Sequence, residues 1–208
     1  MELVNNPPPF LDTGETCGGF DFAAGGDENV FAAGQGNRFF IADHWSDPDT
    51  VGARGRFRRK AAELGISADR IFADGDGLGL PIIDDFRAEG FPVHSYRGGF
   101  PADDTQAFVN LRAQAWRALA RAIEEKELIL DIDEDTIEQL VAPRLQTDAI
   151  GRVRIESKED MAKRGVRSPD RADALVMAWH ARRNSGLART LGAWYARPVS
   201  SKRAYGRY

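Results

Sequence analysis

Ser168-Pro169-Asp170-Arg171-Ala172-Asp173-Ala174-Leu175 sets two carboxylates three residues apart at the start of an apolar helix. Ser168 suits an N-cap and Pro169 the first helical position. On such a helix, positions 170, 173, 177 and 180 share one side, and Ala172, Leu175, Val176 and Trp179 share another. The apolar side belongs against a sheet, which leaves Asp170 and Asp173 at the edge of the buried face. Complementing the helix dipole is enough to explain Asp170. It explains Asp173 poorly, because that residue lies a turn inside and beside the core side.

Two earlier segments also carry an acid on or at the end of a strand: Gly18-Gly19-Phe20-Asp21 and Arg70-Ile71-Phe72-Ala73-Asp74. An acid flanked by apolar strand residues must point to water, a partner or a metal. Phe20 and Phe22 alternate with Asp21, so an outward-facing aspartate is the plain alternative. That alternative weakens if the strand is central, with helices on both faces. Asp74 ends its strand, a favoured position for site residues in α/β sheets, although Asp-Gly is also an ordinary turn signal. Asp76 competes with Asp74; Asp74 is preferred because it still belongs to the strand.

Carboxylates gathered in one place repel one another, and a divalent cation removes that penalty. Oxygen-only ligands favour Mg2+ or Mn2+. With His44, His94, His180 and Cys17 as the whole stock of softer ligands, a structural zinc site is not expected. Two ions about 3.5–4 Å apart can activate water and stabilise the leaving oxygen of a phosphodiester. Asp21 is the best candidate to bridge them. The three separated acids therefore point to metal-dependent phosphodiester hydrolysis.

The surrounding pattern predicts an α/β domain. Strands over 20–23, 29–33 and 38–42, separated by the Gly-rich turns 25–27 and 34–37, read as an antiparallel meander. A helix over 48–64, a strand over 70–73, a helix over 81–88 and a strand over 92–95 imply parallel pairing of strands four and five. Phe108, Leu111, Ala115, Leu119 and Ile123 recur at helical spacing within a helix predicted over 105–126. A short strand over 128–130, a helix over 135–141 and a β-hairpin arm around 150–155 follow. Ser157 opens another short helix.

At 208 residues the chain can bury one sizeable core. It has no apolar run long enough to span a bilayer and no signal-peptide pattern at its start. The lone cysteine excludes an internal disulfide and fits a reducing, intracellular setting. The net charge of −4 argues against coating nucleic acid by bulk charge, but leaves room for a nuclease with local basic patches. Residues 1–16 read as a linker. Residues 184–208 read as a basic, flexible tail. Neither G-x-x-x-x-G-K-[ST] nor G-x-S-x-G occurs. Gly75-Asp76-Gly77-Leu78-Gly79 fails the G-x-G-x-x-G dinucleotide pattern, because its third glycine falls on Leu80 or Ile82.

The ordered set of pieces 19–27, 74–79, 108–116, 151–161 and 164–175 resembles the C-terminal nuclease domain of large terminase subunits from tailed bacteriophages. The likeness covers about residues 17–183, and its last two pieces carry most of the weight. It implies an RNase H-like fold: a central mixed sheet of five or slightly more strands, the first three antiparallel, flanked by helices and carrying a β-hairpin arm. It also implies a metal-dependent endodeoxyribonuclease that cuts double-stranded DNA during genome packaging in the host-cell cytoplasm. Asp21, Asp74 and Asp173 would be the acidic ligands of Mg2+ or Mn2+, with Asp170 auxiliary. Lys158, Lys163, Arg164, Arg152 and Arg154 are candidate DNA contacts. A full large terminase adds an ATPase motor, with the portal and small terminase subunit as partners; residues 1–16 then look like the trailing linker of that ATPase domain. No membrane partner and no small-molecule cofactor are expected. The alternatives are a junction resolvase or other RNase H-like nuclease, a non-catalytic docking or DNA-binding module, and, ranked low, an actin-like nucleotide-binding fold.

Overall fold

The structure, a computed structural model, describes residues 7–23, 27–77 and 79–195, with side chains to residue 184. Three strands open the domain as an antiparallel meander: β1 (Thr16–Asp21), β2 (Asn29–Gln35) and β3 (Arg38–Trp45). Helix α1 (Thr50–Glu63) follows, capped by the Asp49 carboxylate, which accepts from the amides of Val51 and Gly52. Then come β4 (Ile71–Asp74), α2 (Gly79–Ala88), β5 (His94–Tyr96), α3 (Leu111–Glu124) and β6 (Ile129–Asp131). The chain continues through α4 (Glu134–Val141), β7 (Leu145–Thr147), β8 (Val153–Ile155), α5 (Lys158–Lys163) and α6 (Asp170–Tyr195).

Six strands form one mixed sheet in the order β5-β4-β1-β2-β3-β6. β1 pairs parallel with β4, β4 parallel with β5, and β3 parallel with β6. The mixed sheet with its antiparallel first three strands is the RNase H-like architecture expected from the sequence. β1 therefore runs through the middle of the sheet, and its two faces are both covered. Phe20 packs with Phe31, Phe57 and Phe86 on the side of α1 and α2. Cys17 faces the other side, where its thiol donates to the Ala178 carbonyl of α6 at 3.3 Å. Asp21 shares the parity of Cys17, so it too points towards α6.

Helix α6 is buried almost all round between residues 172 and 181, a fuller burial than the two-sided pattern predicted. Gly19 makes this possible. A Cβ there would overlap the Ala174 carbonyl oxygen and stand 2.5 Å from the Ala178 amide nitrogen. The helix lies against bare backbone, which brings its first turn level with the carboxyl end of β1.

Several boundaries differ from the sequence reading. The helix predicted over 105–126 starts at Leu111, because residues 107–109 are used by the hairpin instead. Val109 donates to the Val153 carbonyl at 2.9 Å, and Val153 to the Ala107 carbonyl at 2.7 Å. Asn110 then caps α3 through the Ala113 amide. The hairpin arm is wider than predicted: β7 and β8 flank the turn at 148–152, where Gly151 has φ +88°. Ser168 does not cap α6 through a backbone amide; its hydroxyl donates to the Asp170 carboxylate. Helix α6 continues past residue 183 to Tyr195. The remainder of the predicted tail, residues 196–208, lies outside the described residues, as do residues 1–6 of the predicted linker and most of the first Gly-rich turn.

The bare backbone at Gly19 sets a direct test. Gly19→Ala is expected to destabilise the fold by about 1–3 kcal/mol or more, since the obstructing atoms are main chain and cannot rotate away. Chemical denaturation measures it, and a midpoint equal to wild type contradicts the close packing.

Candidate metal centre

Parallel pairing of β1 with β4 places Asp21 and Asp74 at neighbouring carboxyl ends of central strands. Docking of α6 over β1 adds Asp170 and Asp173 from the first turn of that helix. The Nζ atom of Lys158, from the first position of α5, stands among them. It lies 3.4 Å from Asp170 Oδ1, 3.4 Å from Asp173 Oδ2 and 3.9 Å from Asp21 Oδ2. The structure thus gathers Asp21, Asp170 and Asp173 around one ammonium, with Asp74 at the adjoining strand end.

Each acid is held differently. Asp21 is 3% exposed, and its Oδ2 has no hydrogen-bond partner among the described residues. Burial pushes its carboxyl well above the usual range, despite the attraction of Lys158; the charges of Asp74, Asp170 and Asp173 push it further. Asp74 is pushed up to about 6, mainly by burial, while the Asp76 amide donating to its Oδ1 at 2.9 Å works the other way. Burial opposes the charge of Asp173 as well. There, however, the Arg112 guanidinium, Lys158 and the Trp116 indole together hold the carboxyl below its ordinary value. Arg112 Nη2 donates to Asp173 Oδ1 at 3.3 Å and Trp116 Nε1 to the same oxygen at 3.0 Å. Asp170 accepts from Ser168 Oγ and from the Glu28 amide at 3.1 Å. The Lys158 side chain is 41% exposed, and the surrounding carboxylates of Asp21, Asp173, Asp170 and Asp74 raise its pKa and keep it charged.

Asp76 stands apart. It is half exposed on the loop after β4, with its nearest cation, Arg97 Nε, 3.8 Å away. The other sequence-chosen cations lie on the hairpin and α5, each facing an acid. Arg152 pairs with Asp148 at 2.8 Å, Lys163 with Asp160 at 2.7 Å and Arg164 with Glu156 at 2.6 Å, while Arg154 lies 3.7 Å from Asp160.

The sequence reading assigned no role to the groups that hold the acids. Arg112 and Trp116 are one turn apart on α3 and converge on Asp173; an arginine and an indole at i and i+4 beside an apolar stripe was the available signal. Arg112 also donates to the Glu156 carbonyl at 2.9 Å, which ties Asp173 to the segment leading into Lys158. Arg171 grips Glu28 with two hydrogen bonds of 2.7 and 2.9 Å, fixing the residue whose amide holds Asp170. That pairing across 143 residues leaves no mark in a local pattern.

Among the described residues, no three His, Cys, Asp or Glu side chains are already drawn together at ligand spacing. The donor set nevertheless fits Mg2+ or Mn2+. It is all oxygen, it includes a buried carboxylate oxygen without a partner, and it already surrounds a positive charge.

No protein-family model and no curated protein matches the sequence. Solved structures do match. The nuclease domain of the large terminase subunit gp2 of bacterial virus Sf6, solved with manganese and beta-thujaplicinol, superposes with a TM-score of 0.71 at 22% identity, covering 82% of this chain and 90% of that one. The large terminase nuclease of thermophilic phage G20c, with bound magnesium, gives a TM-score of 0.60 at 18% identity over 79% and 80% of the two chains. The chain has the fold of these nuclease domains.

The buried acids predict a pH signature in the metal-free protein. Above its raised pKa of about 6, Asp74 is charged in the folded state, and that costs stability. As the pH falls through the value, the folded state takes up a proton and the cost disappears. Asp74→Asn, measured in chelator, should therefore melt above wild type near pH 7.5, with the difference shrinking towards about pH 5. A difference that grows on acidification contradicts this assignment.

Proposed function

We propose that this chain is a metal-dependent endonuclease domain that cuts double-stranded DNA during viral genome packaging. The observation that carries the reading is the gathering of Asp21, Asp170 and Asp173 around Lys158, beside Asp74 on the adjoining strand end and with a buried Asp21 oxygen left without a partner. The likeness of fold to terminase nuclease domains solved with manganese, magnesium and cobalt supports it.

Asp21, Asp74 and Asp173 are the proposed metal ligands, with Asp170 auxiliary and two ions in the active complex. When bound, Mg2+ or Mn2+ supplies the Lewis acidity that lowers the pKa of water and stabilises the departing oxygen. The protein's own part is to keep the acids in position and in the right charge state. Arg112 and Trp116 keep Asp173 anionic and fix its orientation. Ser168 and the Glu28 amide orient Asp170. Enclosure of Asp21 excludes bulk water, so its charge is answered by a cation rather than by solvent. Lys158, Lys163, Arg164, Arg152 and Arg154 are proposed phosphate contacts. Each faces a carboxylate in the protein alone, so binding DNA exchanges one anion for another, and affinity should be weak and salt-sensitive.

The domain would act within a larger terminase, with residues 1–16 as the linker from an ATPase domain and the portal and small subunit as partners. Host-cell cytoplasm is the proposed location; among the described residues no helix is long and apolar enough to cross a membrane.

A plasmid-nicking assay tests the reading. Wild type should cut in Mn2+ and stop on addition of chelator. Asp21→Asn and Asp173→Asn should each lower the rate by more than about 100-fold. The Asp21→Asn melting temperature should equal or exceed that of wild type, because one of several crowded carboxylates is gone. Wild-type protein inert in every divalent metal rejects the nuclease assignment; full activity in Asp173→Asn removes that residue from the ligand set.

A further inference from the structure

The segment just past β5 carries a cation that the metal chemistry does not use. Arg97 follows Tyr96, the register partner of Asp74 in the parallel β4–β5 pair. Its loop is pinned beside the acid centre on two sides. The Gly75 amide donates to the Tyr96 carbonyl at 2.7 Å, and the Arg112 amide donates to the Gly98 carbonyl at 2.9 Å. Residues 97–100 therefore lie between the loop leaving Asp74 and the turn of α3 that holds Asp173.

The Arg97 guanidinium sits over the Phe100 ring, 4.3 Å from its centroid. Its Nε is buried and finds no partner among the described residues, while the side chain as a whole is 40% exposed. The nearest acid oxygen, on Asp76, is 3.8 Å from Nε, beyond a hydrogen bond. Arg152, Lys163 and Arg164, by contrast, are hydrogen-bonded to carboxylates. Phe100 is a large apolar side chain 44% exposed, on the rim of a charged site where nothing in the core requires it. Stacking on the ring fixes the guanidinium plane without neutralising its charge. A planar fork held ready, with donors to spare, suits a phosphate oxygen.

We propose that Arg97, propped on Phe100, contacts a backbone phosphate of the DNA strand presented to the acids. This rests on the nuclease reading above and adds a substrate-positioning residue to it. Because Arg97 gives up only a 3.8 Å approach to the half-exposed Asp76 and no hydrogen bond to an acid, it contributes to binding at lower cost than the hydrogen-bonded cations Arg152, Lys163 and Arg164. The ring supplies rigidity and an apolar surface for the adjoining sugar.

The test uses the full chain and a duplex oligonucleotide of random sequence. Binding is followed by fluorescence anisotropy in Ca2+ over a salt series, and cutting by plasmid nicking in Mn2+. Arg97→Ala should weaken duplex affinity roughly three- to tenfold and flatten the salt dependence by about one phosphate contact. Arg97→Lys should restore the slope but only part of the affinity, since the charge returns without the stacked fork. Phe100→Ala should weaken affinity while keeping the slope, because the charge remains and only its placement is lost. Melting temperatures report on folding in parallel. If wild type nicks plasmid and Arg97→Ala matches it in affinity and slope, the Arg97 contact is overturned and the nuclease reading stands. If wild type binds duplex with the Arg97-dependent slope but never nicks, the nuclease reading falls and the DNA contact survives.

Discussion

Four aspartates, two of them buried and two half-buried, converge on one edge of the sheet, where their mutual repulsion calls for a cation. The environment of each acid follows from this constraint. Lys158 supplies the internal positive charge. Arg112 and Trp116 concentrate their support on Asp173, which stays anionic against the cost of burial. Asp74 is left with a carboxyl near 6, and Asp21 with an oxygen that no protein donor reaches. The result is a graded set: Asp173 is held to its charge, while burial shifts Asp21 and Asp74 towards the protonated form.

The scaffold is shaped to make that crowding possible. A glycine at position 19 lets the last helix lie on bare strand, closer than any side chain would permit. Parallel pairing of β1 with β4 aligns two carboxyl ends, and both faces of β1 are packed, so Asp21 is almost wholly shielded from bulk water. Further supports converge from outside the sheet: Glu156 accepts from Arg164 and from the Arg144 amide, while its own carbonyl accepts from Arg112. The hairpin, α3 and α5 are thereby bound to one another around the acids rather than merely adjoining them.

Much of this was legible in the residues. The three acids proposed as ligands stood out because each sits in an apolar context where a lone carboxylate is costly. The meander and the parallel crossover followed from turn spacing and strand-helix alternation. What failed to show depends on distant partners. Residues 107–109 have helical periodicity with α3, yet their backbone bonds go to Val153, and no local pattern reveals that competition. The short strand predicted over 128–130 forms at 129–131, but its parallel place beside β3 at the sheet edge could not be read locally. Lys158 read as one candidate DNA contact among five; its place among the acids is fixed by the fold of the whole chain.

The thiol of Cys17 and the carbonyl it meets on α6 are 161 residues apart, and the acids of β1 and α6 are brought together by that same docking. The centre therefore has no partial form. A nascent or loosened chain that has built its sheet but not seated its final helix possesses strand-end carboxylates and no site. Whatever chemistry resides here is latent until α6 is seated on β1.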